Sequence, residues 1–195
     1  MTRIILASAS PRRKELLSQA GPYGAGYKFT VVRPQIDEND IHLEKAGPAE
    51  YAKKAALAKA IDVAQRYPDA LVIGADTVVD FNGQTIGKPL DAKDAERITR
   101  MLFSAPHKVI TALAIVRIRD SMESVEADTT TIYPKKLSEK DIAEHIKSGL
   151  WRDKAGAYAI KQPADPFIER IEGSLSNVMG LPMELLQKLL KKLND

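Results

Sequence analysis

The segment Arg3-Ile4-Ile5-Leu6-Ala7-Ser8-Ala9-Ser10-Pro11-Arg12-Arg13-Lys14-Glu15-Leu16-Leu17 reads as a strand, a small-residue turn and a helix in direct succession. The apolar run ends at Ala7, and helix signals begin at once. Ser10 stands at the N-cap, Pro11 at the first helical position, and Leu16 and Leu17 start an apolar stripe. A helix N-terminus presents unpaired N–H groups and a partial positive charge. Arg12 and Arg13 occupy the same first turn, where the dipole favours acids. The arrangement works against helix stability and suits a polyanion, most simply a phosphate chain.

The elements alternate outward from this segment. The first helix should run from Pro11 to Ala20 and stop at Gly21-Pro22. A strand follows at Tyr27 to Val32, then an acidic loop from Arg33 to Lys45. A long helix is expected from Pro48 to Tyr67, with Tyr51, Ala55, Ala58, Ile61 and Ala64 as its buried face. Leu71 to Phe81 reads as a strand interrupted by the polar stretch Gly74 to Thr77, and Asn82-Gly83 as a hairpin turn. Asp91 to Phe103 is helical, Lys108 to Arg119 and Glu123 to Tyr133 alternate as a strand pair, and Ser138 to Ser148 is a helix closed by Gly149. Ala155 to Ile160 and Phe167 to Ile171 read as strands, and Pro182 to Leu193 as a final helix. The interleaving predicts an α/β fold with a mixed sheet and flanking helices.

With 195 residues the expectation is one domain, or two lobes sharing a cleft. Hydrophobic residues at 44% and charged residues at 28% allow an ordinary core in a water-soluble chain. The net charge of +3 supports phosphate affinity only weakly. The absence of cysteine excludes disulfides and thiol catalysis and fits a cytoplasmic setting. Ile4 to Leu6 is too short for a signal peptide, and no apolar stretch reaches the roughly 20 residues that span a bilayer.

Asp76 is the leading candidate for a reactive carboxylate. It lies in Leu71-Val72-Ile73-Gly74-Ala75-Asp76-Thr77-Val78-Val79, and a carboxylate among apolar strand residues is costly unless it meets a metal, a cation or several donors. The residues leave a second reading open, a structural Asp bonding nearby backbone. Lys59, among the alanines of the long helix, could be an inward-facing cation or an ordinary exposed lysine. Lys88 in Gly87-Lys88-Pro89 could aim an ammonium at a phosphate or simply sit in a polar loop; Pro89 stands where a P-loop needs a hydroxyl residue. Asp37-Glu38-Asn39-Asp40 reads either as a solvated charge run or as a carboxylate source for Mg²⁺. His42, His107 and His145 fit no zinc spacing, and Gly173-Ser174-Leu175-Ser176 lacks the nucleophile-elbow pattern. Aromatics at 6%, not interleaved with basic residues, speak against a single-strand nucleic-acid platform.

Four blocks in order resemble the Maf family of nucleoside triphosphate pyrophosphatases. They are Leu6 to Arg13, Ile73 to Val78 with Gly87-Lys88-Pro89, Asp153 to Tyr158, and Gly173-Ser174-Leu175-Ser176-Asn177-Val178-Met179-Gly180-Leu181-Pro182. The resemblance implies a single domain over residues 1–195, with two lobes around a deep cleft and an inosine triphosphate pyrophosphatase-like architecture. It implies hydrolysis of a nucleoside triphosphate to monophosphate and pyrophosphate, aided by Mg²⁺ or Mn²⁺, and it admits a homodimer. By position, the family's general base falls on Asp76. Its phosphate and metal residues fall on Ser8, Arg13, Glu38, Lys59 and Lys88, with Asp76 and Glu38 toward the metal. Its specificity positions fall on Arg12, Thr77 and Lys161.

Ser10-Pro11-Arg12-Arg13 and Gly74-Ala75-Asp76-Thr77 resemble the branch acting on dTTP and UTP; the 7-methyl-GTP branch carries tryptophan after the proline and Ser-Asp-Gln in the second block. Without a gap Lys161 replaces that branch's glutamine; a one-residue shift would put Gln162 there. An amide both donates and accepts, whereas an ammonium only donates. Two rival functions stay open on sequence grounds: a non-catalytic nucleotide- or nucleic-acid-binding regulator of cell division, and a phosphohydrolase that releases orthophosphate.

Overall fold

Strand β1 (Ile4–Ala7) lies between β2 (Phe29–Val32) and β3 (Leu71–Phe81) and is parallel to both. In this computed structural model the described residues are 3–19, 27–36, 47–152, 154–158, 160 and 165–192. Helix α1 (Pro11–Gln19) connects β1 to β2, and α2 (Pro48–Arg66) precedes β3. Leu17 of α1 packs with Leu6 and Ile73 on one sheet face, while α2 packs with Ile5, Val72 and Ala112 on the other. The chain leaves β1 through α1 toward β2, whereas after β3 it passes on to reach a strand on the opposite side of β3, which makes the β1/β3 boundary a topological switch point. Ligands of open α/β sheets bind outside the carboxyl ends of strands at such a point.

The hairpin to β4 (Gln84–Ile86) turns on Asn82 and Gly83, at φ 53° and 82°, conformations that asparagine and glycine tolerate. After α3 (Ala92–Leu102), β5 (His107–Arg117) runs antiparallel to β3, and β6 (Met122–Pro134) antiparallel to β5. Helix α4 (Glu139–Ser148) ends at Gly149 in the left-handed region, as its sequence predicts, and starts with a capping box between Ser138 and Asp141. Strand β7 (Ile168–Glu172) pairs with β6, and α5 (Leu175–Val178) and α6 (Met183–Lys192) follow. Among the described residues the sheet has seven strands, in the order β2-β1-β3-β5-β6-β7 with β4 on β3.

Three apolar clusters fill the layers. The first lies under α2; the second, on the opposite face, is closed by α1 and α6. The third gathers Val79, Ile98, Leu102, Val109 and Trp151 beneath α3 and α4. Strand alternation places Val109 of the third cluster and Leu113 of the second on the same side of β5, with Thr111 between them. A polar seam thus separates two apolar clusters on one sheet face.

Three expectations need correction. The buried face of α2 is Ala52, Ala55, Ala56, Lys59, Ala60, Val63 and Ala64, rotated from the expected one; Tyr51, Ala58 and Ile61 are only half-buried. The cause is close packing: a Cβ at Gly74 would collide with the Ala56 carbonyl oxygen, so the small residues face the sheet. Residues 74–77 do not interrupt β3, which stays paired with β5 throughout. Ala155–Ala157 is a 3-10 turn rather than a strand, with Gly156 and Ala157 at positive φ. The expected stop at Gly21-Pro22 and the acidic cluster at 37–40 lie outside the described residues.

Candidate active site

The sheet opens where β1 ends. Ala7 pairs with Gly74 and marks the end of the β1–β3 ladder, and β4 joins β3 only from Val79 onward. Ala75 to Val78 therefore pass an edge with no strand beside it among the described residues. A cleft of about 1590 Å³ lies against this edge.

Strand alternation sends Asp76 and Thr77 to opposite faces at this opening. Asp76 meets α2: its Oδ1 is 2.6 Å from Lys59 Nζ. Both residues are nearly closed to solvent, Lys59 at 7% and Asp76 at 9% exposure, yet both reach the cleft. An ion pair tolerates such burial because each charge compensates the other's desolvation. Lys59 is thus an inward-facing lysine, which the close approach of α2 at Gly74 accounts for.

Thr77 meets α1. The Arg13 guanidinium donates from Nη2 to Thr77 Oγ1 at 3.0 Å and from Nε to the Gly180 carbonyl at 2.8 Å. Its Nη1 lies 3.5 Å from Ser8 Oγ. Ser8 itself is buried and accepts from the Ser10 N–H at 3.1 Å, so the small-residue turn is held from within. Ser10 Oγ accepts from the Arg13 N–H at 3.5 Å, a long version of the predicted cap. The first turn of α1, with its arginines, faces the cleft.

Behind Thr77 the polar seam is fully bonded. Thr77 Oγ1 is 2.9 Å from Thr111 Oγ1, and Thr111 donates to the Asn177 carbonyl at 2.8 Å. The Asn177 amide takes the Thr111 N–H and gives its own hydrogens to the Val109 carbonyl and Thr130 Oγ1. Among the described residues no buried side-chain nitrogen or oxygen lacks a partner.

On the other rim, the Gly87 carbonyl accepts from the Gly156 N–H at 3.0 Å, which ties the Lys88 loop to the 3-10 turn. Lys88 is exposed and lines the cleft. Tyr158, also at the cleft, lies 2.6 Å from His107 Nε2 through its hydroxyl. His107 Nδ1 faces the carbonyls of Leu102 and Ala105, so it carries the ring proton and Nε2 accepts from the phenol. Burial holds His107 below its ordinary value of 6.5, partly offset by those carbonyl bonds. Burial, reinforced by Asp165, pushes the Tyr158 phenol far up.

A family model described as Maf-like protein matches residues 3–193. The chain belongs to the Maf-like family. Members with similar sequences include the "dTTP/UTP pyrophosphatase" of Elusimicrobium minutum, 43% identical over 190 residues, with 97% of this chain and 98% of the relative covered. Proteins of the same description from Shewanella denitrificans and Methanosarcina barkeri are 41% and 40% identical, covering 95% and 98% of this chain and 93% and 94% of the relatives. The Staphylococcus aureus Ham1 protein superposes with a TM-score of 0.56 at 12% identity, over 98% of this chain and 99% of that one. That likeness shows a shared fold.

In this Maf-like protein, Ser8, Arg12, Arg13, Lys59, Asp76, Thr77 and Lys88 all line the cleft. Glu38 and Lys161 lie outside the described residues. Sequence reasoning missed Thr111, Asn177 and Gly180. The available signals were a threonine breaking the apolar run of β5 and the asparagine and glycine of the fourth motif block. Arg152 and Lys154 add two more cationic residues to the lining. No described helix is long and apolar enough to cross a membrane.

Proposed function

We propose that this protein hydrolyses dTTP and UTP between the α- and β-phosphates, releasing the monophosphate and pyrophosphate, as a single domain whose two lobes flank the cleft. The observation that carries this reading is the buried Lys59–Asp76 pair opening, beside the Arg13 guanidinium, onto one cleft at the carboxyl end of β1. The dTTP/UTP pyrophosphatase relatives, at about 40% identity over nearly the whole chain, support the substrate class.

In this reading Asp76 orients a water in line with the α-phosphorus and accepts its proton. Lys59 fixes the carboxylate's position. Arg13, Lys59 and Lys88 offset the negative charge of the triphosphate, and Ser8 with the first turn of α1 supplies hydroxyl and N–H donors to phosphate oxygens. Arg12, Thr77 and Lys161 are assigned to the base. Mg²⁺ or Mn²⁺ suits the donor chemistry: the cleft offers a hard carboxylate oxygen, while His107 and His145 are engaged by Tyr158 and the Ala157 carbonyl. Asp76, with the Glu38 carboxylate, would hold such an ion, which supplies charge neutralisation at the phosphate oxygens. A free-nucleotide substrate suits a cytoplasmic setting.

The test is a metal-supplemented screen of common and modified triphosphates with product identification. Pyrophosphate plus monophosphate from dTTP and UTP is the expected result. Orthophosphate as the sole phosphate product, or no turnover of any triphosphate, overturns the proposal.

A further inference from the structure

We propose that Thr111 is a positioning residue for base specificity: with Asn177, it compels the Thr77 hydroxyl to face the cleft purely as a hydrogen-bond acceptor. The inference rests on the reading above that Thr77 contacts the base.

The argument is a count of hydrogens. A threonine hydroxyl has one. Thr111 directs its own at the Asn177 carbonyl, 2.8 Å away, and a carbonyl can only accept. The 2.9 Å contact between Thr77 Oγ1 and Thr111 Oγ1 must then be bridged by the Thr77 hydrogen. Arg13 Nη2 donates to Thr77 Oγ1 at 3.0 Å and takes up part of its accepting capacity. What Thr77 has left is a lone pair and no hydrogen.

Asn177 holds this polarity in place. Its Oδ1 accepts the Thr111 N–H at 3.0 Å, and its Nδ2 donates to the Val109 carbonyl and to Thr130 Oγ1, each at 2.9 Å. A flipped amide would face donor against donor and acceptor against acceptor. Thr111 and Asn177 are both at 0% exposure, so water does not exchange into these bonds. The fourth motif block thus acts on Thr77 from the same sheet face, and its Gly180 carbonyl also anchors Arg13 Nε at 2.8 Å.

An acceptor-only Thr77 selects a base edge that offers an N–H. The imide of uracil or thymine offers one; cytosine presents a bare ring nitrogen at the same position, and two acceptors face each other. A site built around one hydrogen-bond polarity rejects the opposite one because a polar group stays unpaired.

Thr111→Val removes the receiving hydroxyl and frees the Thr77 hydrogen to turn toward the cleft. The Asn177 carbonyl is not orphaned, because the Gly180 N–H also donates to it at 2.9 Å. The experiment measures kcat/KM for pyrophosphate release from UTP and CTP with wild type, Thr111→Val and Thr111→Ser, and from N3-methyl-UTP with wild type. Thr111→Val should lower the UTP-to-CTP preference about tenfold, while Thr111→Ser retains it. N3-methyl-UTP, which lacks the donor, should fall at least about tenfold below UTP. A wild-type preference in folded Thr111→Val, or N3-methyl-UTP turned over like UTP, overturns the inference; the second result decides alone if the valine variant does not fold. Wild-type UTP turnover with an unchanged preference sinks this inference only, whereas no wild-type turnover of UTP or dTTP sinks the functional reading and this with it.

Discussion

Lys59 Nζ lies 2.6 Å from Asp76 Oδ1, and the two residues belong to a helix and a strand whose backbones meet at Gly74. The ion pair and the close backbone approach are one feature. Without a glycine at 74, α2 would stand further from β3 and the ammonium would not reach the carboxylate.

Asp76→Asn should leave the fold intact and abolish turnover. The amide is nearly isosteric and can still accept from Lys59 through its oxygen, but it is no longer an effective proton acceptor. Single-turnover release of pyrophosphate with UTP reads the effect, and a wild-type rate in the asparagine variant would remove Asp76 from the general-base role.

Lys59→Met should destabilise the fold by about 3 kcal/mol, because it strips the ammonium from a buried carboxylate. The double variant Lys59→Met/Asp76→Leu should recover most of that loss while staying inactive, since replacing a whole buried pair by apolar groups is often near neutral. Urea unfolding of the three proteins makes the comparison. A Lys59→Met midpoint equal to wild type would show that the pair contributes nothing to stability.

Arg13→Lys should behave like a loss of function, with kcat/KM reduced about 10²-fold. One ammonium cannot span the Gly180 carbonyl and the Thr77 hydroxyl, which the guanidinium reaches with separate nitrogens. Steady-state kinetics alongside a melting curve separate this from unfolding, and a fully active lysine variant contradicts it.

Gly74→Ala should cost at least about 2 kcal/mol. The new Cβ would run into the Ala56 carbonyl oxygen and lie 2.9 Å from Ala60 Cβ, both backbone-anchored on α2. Activity should fall with stability, because α2 carries Lys59. A variant with unchanged melting temperature and unchanged rate would mean that the helix and strand leave room for a methyl group at residue 74.

His107 should make the protein less stable in mild acid. Its folded pKa is depressed below the ordinary 6.5, chiefly by burial, so the unfolded chain binds the proton more readily. The penalty begins as pH falls through about 6.5 and grows until the folded ring protonates. Protonation also places an N–H at Nε2 against the Tyr158 hydroxyl, which must then turn to accept. His107→Gln should flatten the decline in unfolding free energy between pH 7 and pH 5, and an unchanged slope would assign the decline to other groups.

Much of the architecture was readable from local chemistry. The β1–turn–α1 segment, the Asn82-Gly83 hairpin and the end of α4 at Gly149 depend on neighbours within a few positions, and each formed close to the expected boundaries. The phase of α2 was not readable. Its inward face is mostly alanine, which contrasts little in hydropathy with the rest of the helix, and what orients it is a glycine on another element. The 3-10 turn at Ala155–Ala157 was hidden for a similar reason: its small apolar residues look like strand until the positive φ values of Gly156 and Ala157 are known.

Nearest-neighbour rules were enough to mark Arg12, Arg13 and Asp76 as unusual, because a cation pair in a first helical turn and an acid in an apolar strand are each locally unfavourable. They could not show that Thr111 finds Asn177 from 66 positions away, or that Thr77 thereby loses its only hydrogen to the interior. Those bonds exist because packing brings the fourth motif block against the middle of β5. A hydroxyl's polarity is set by whichever partners burial leaves it, and no reading along the chain supplies them.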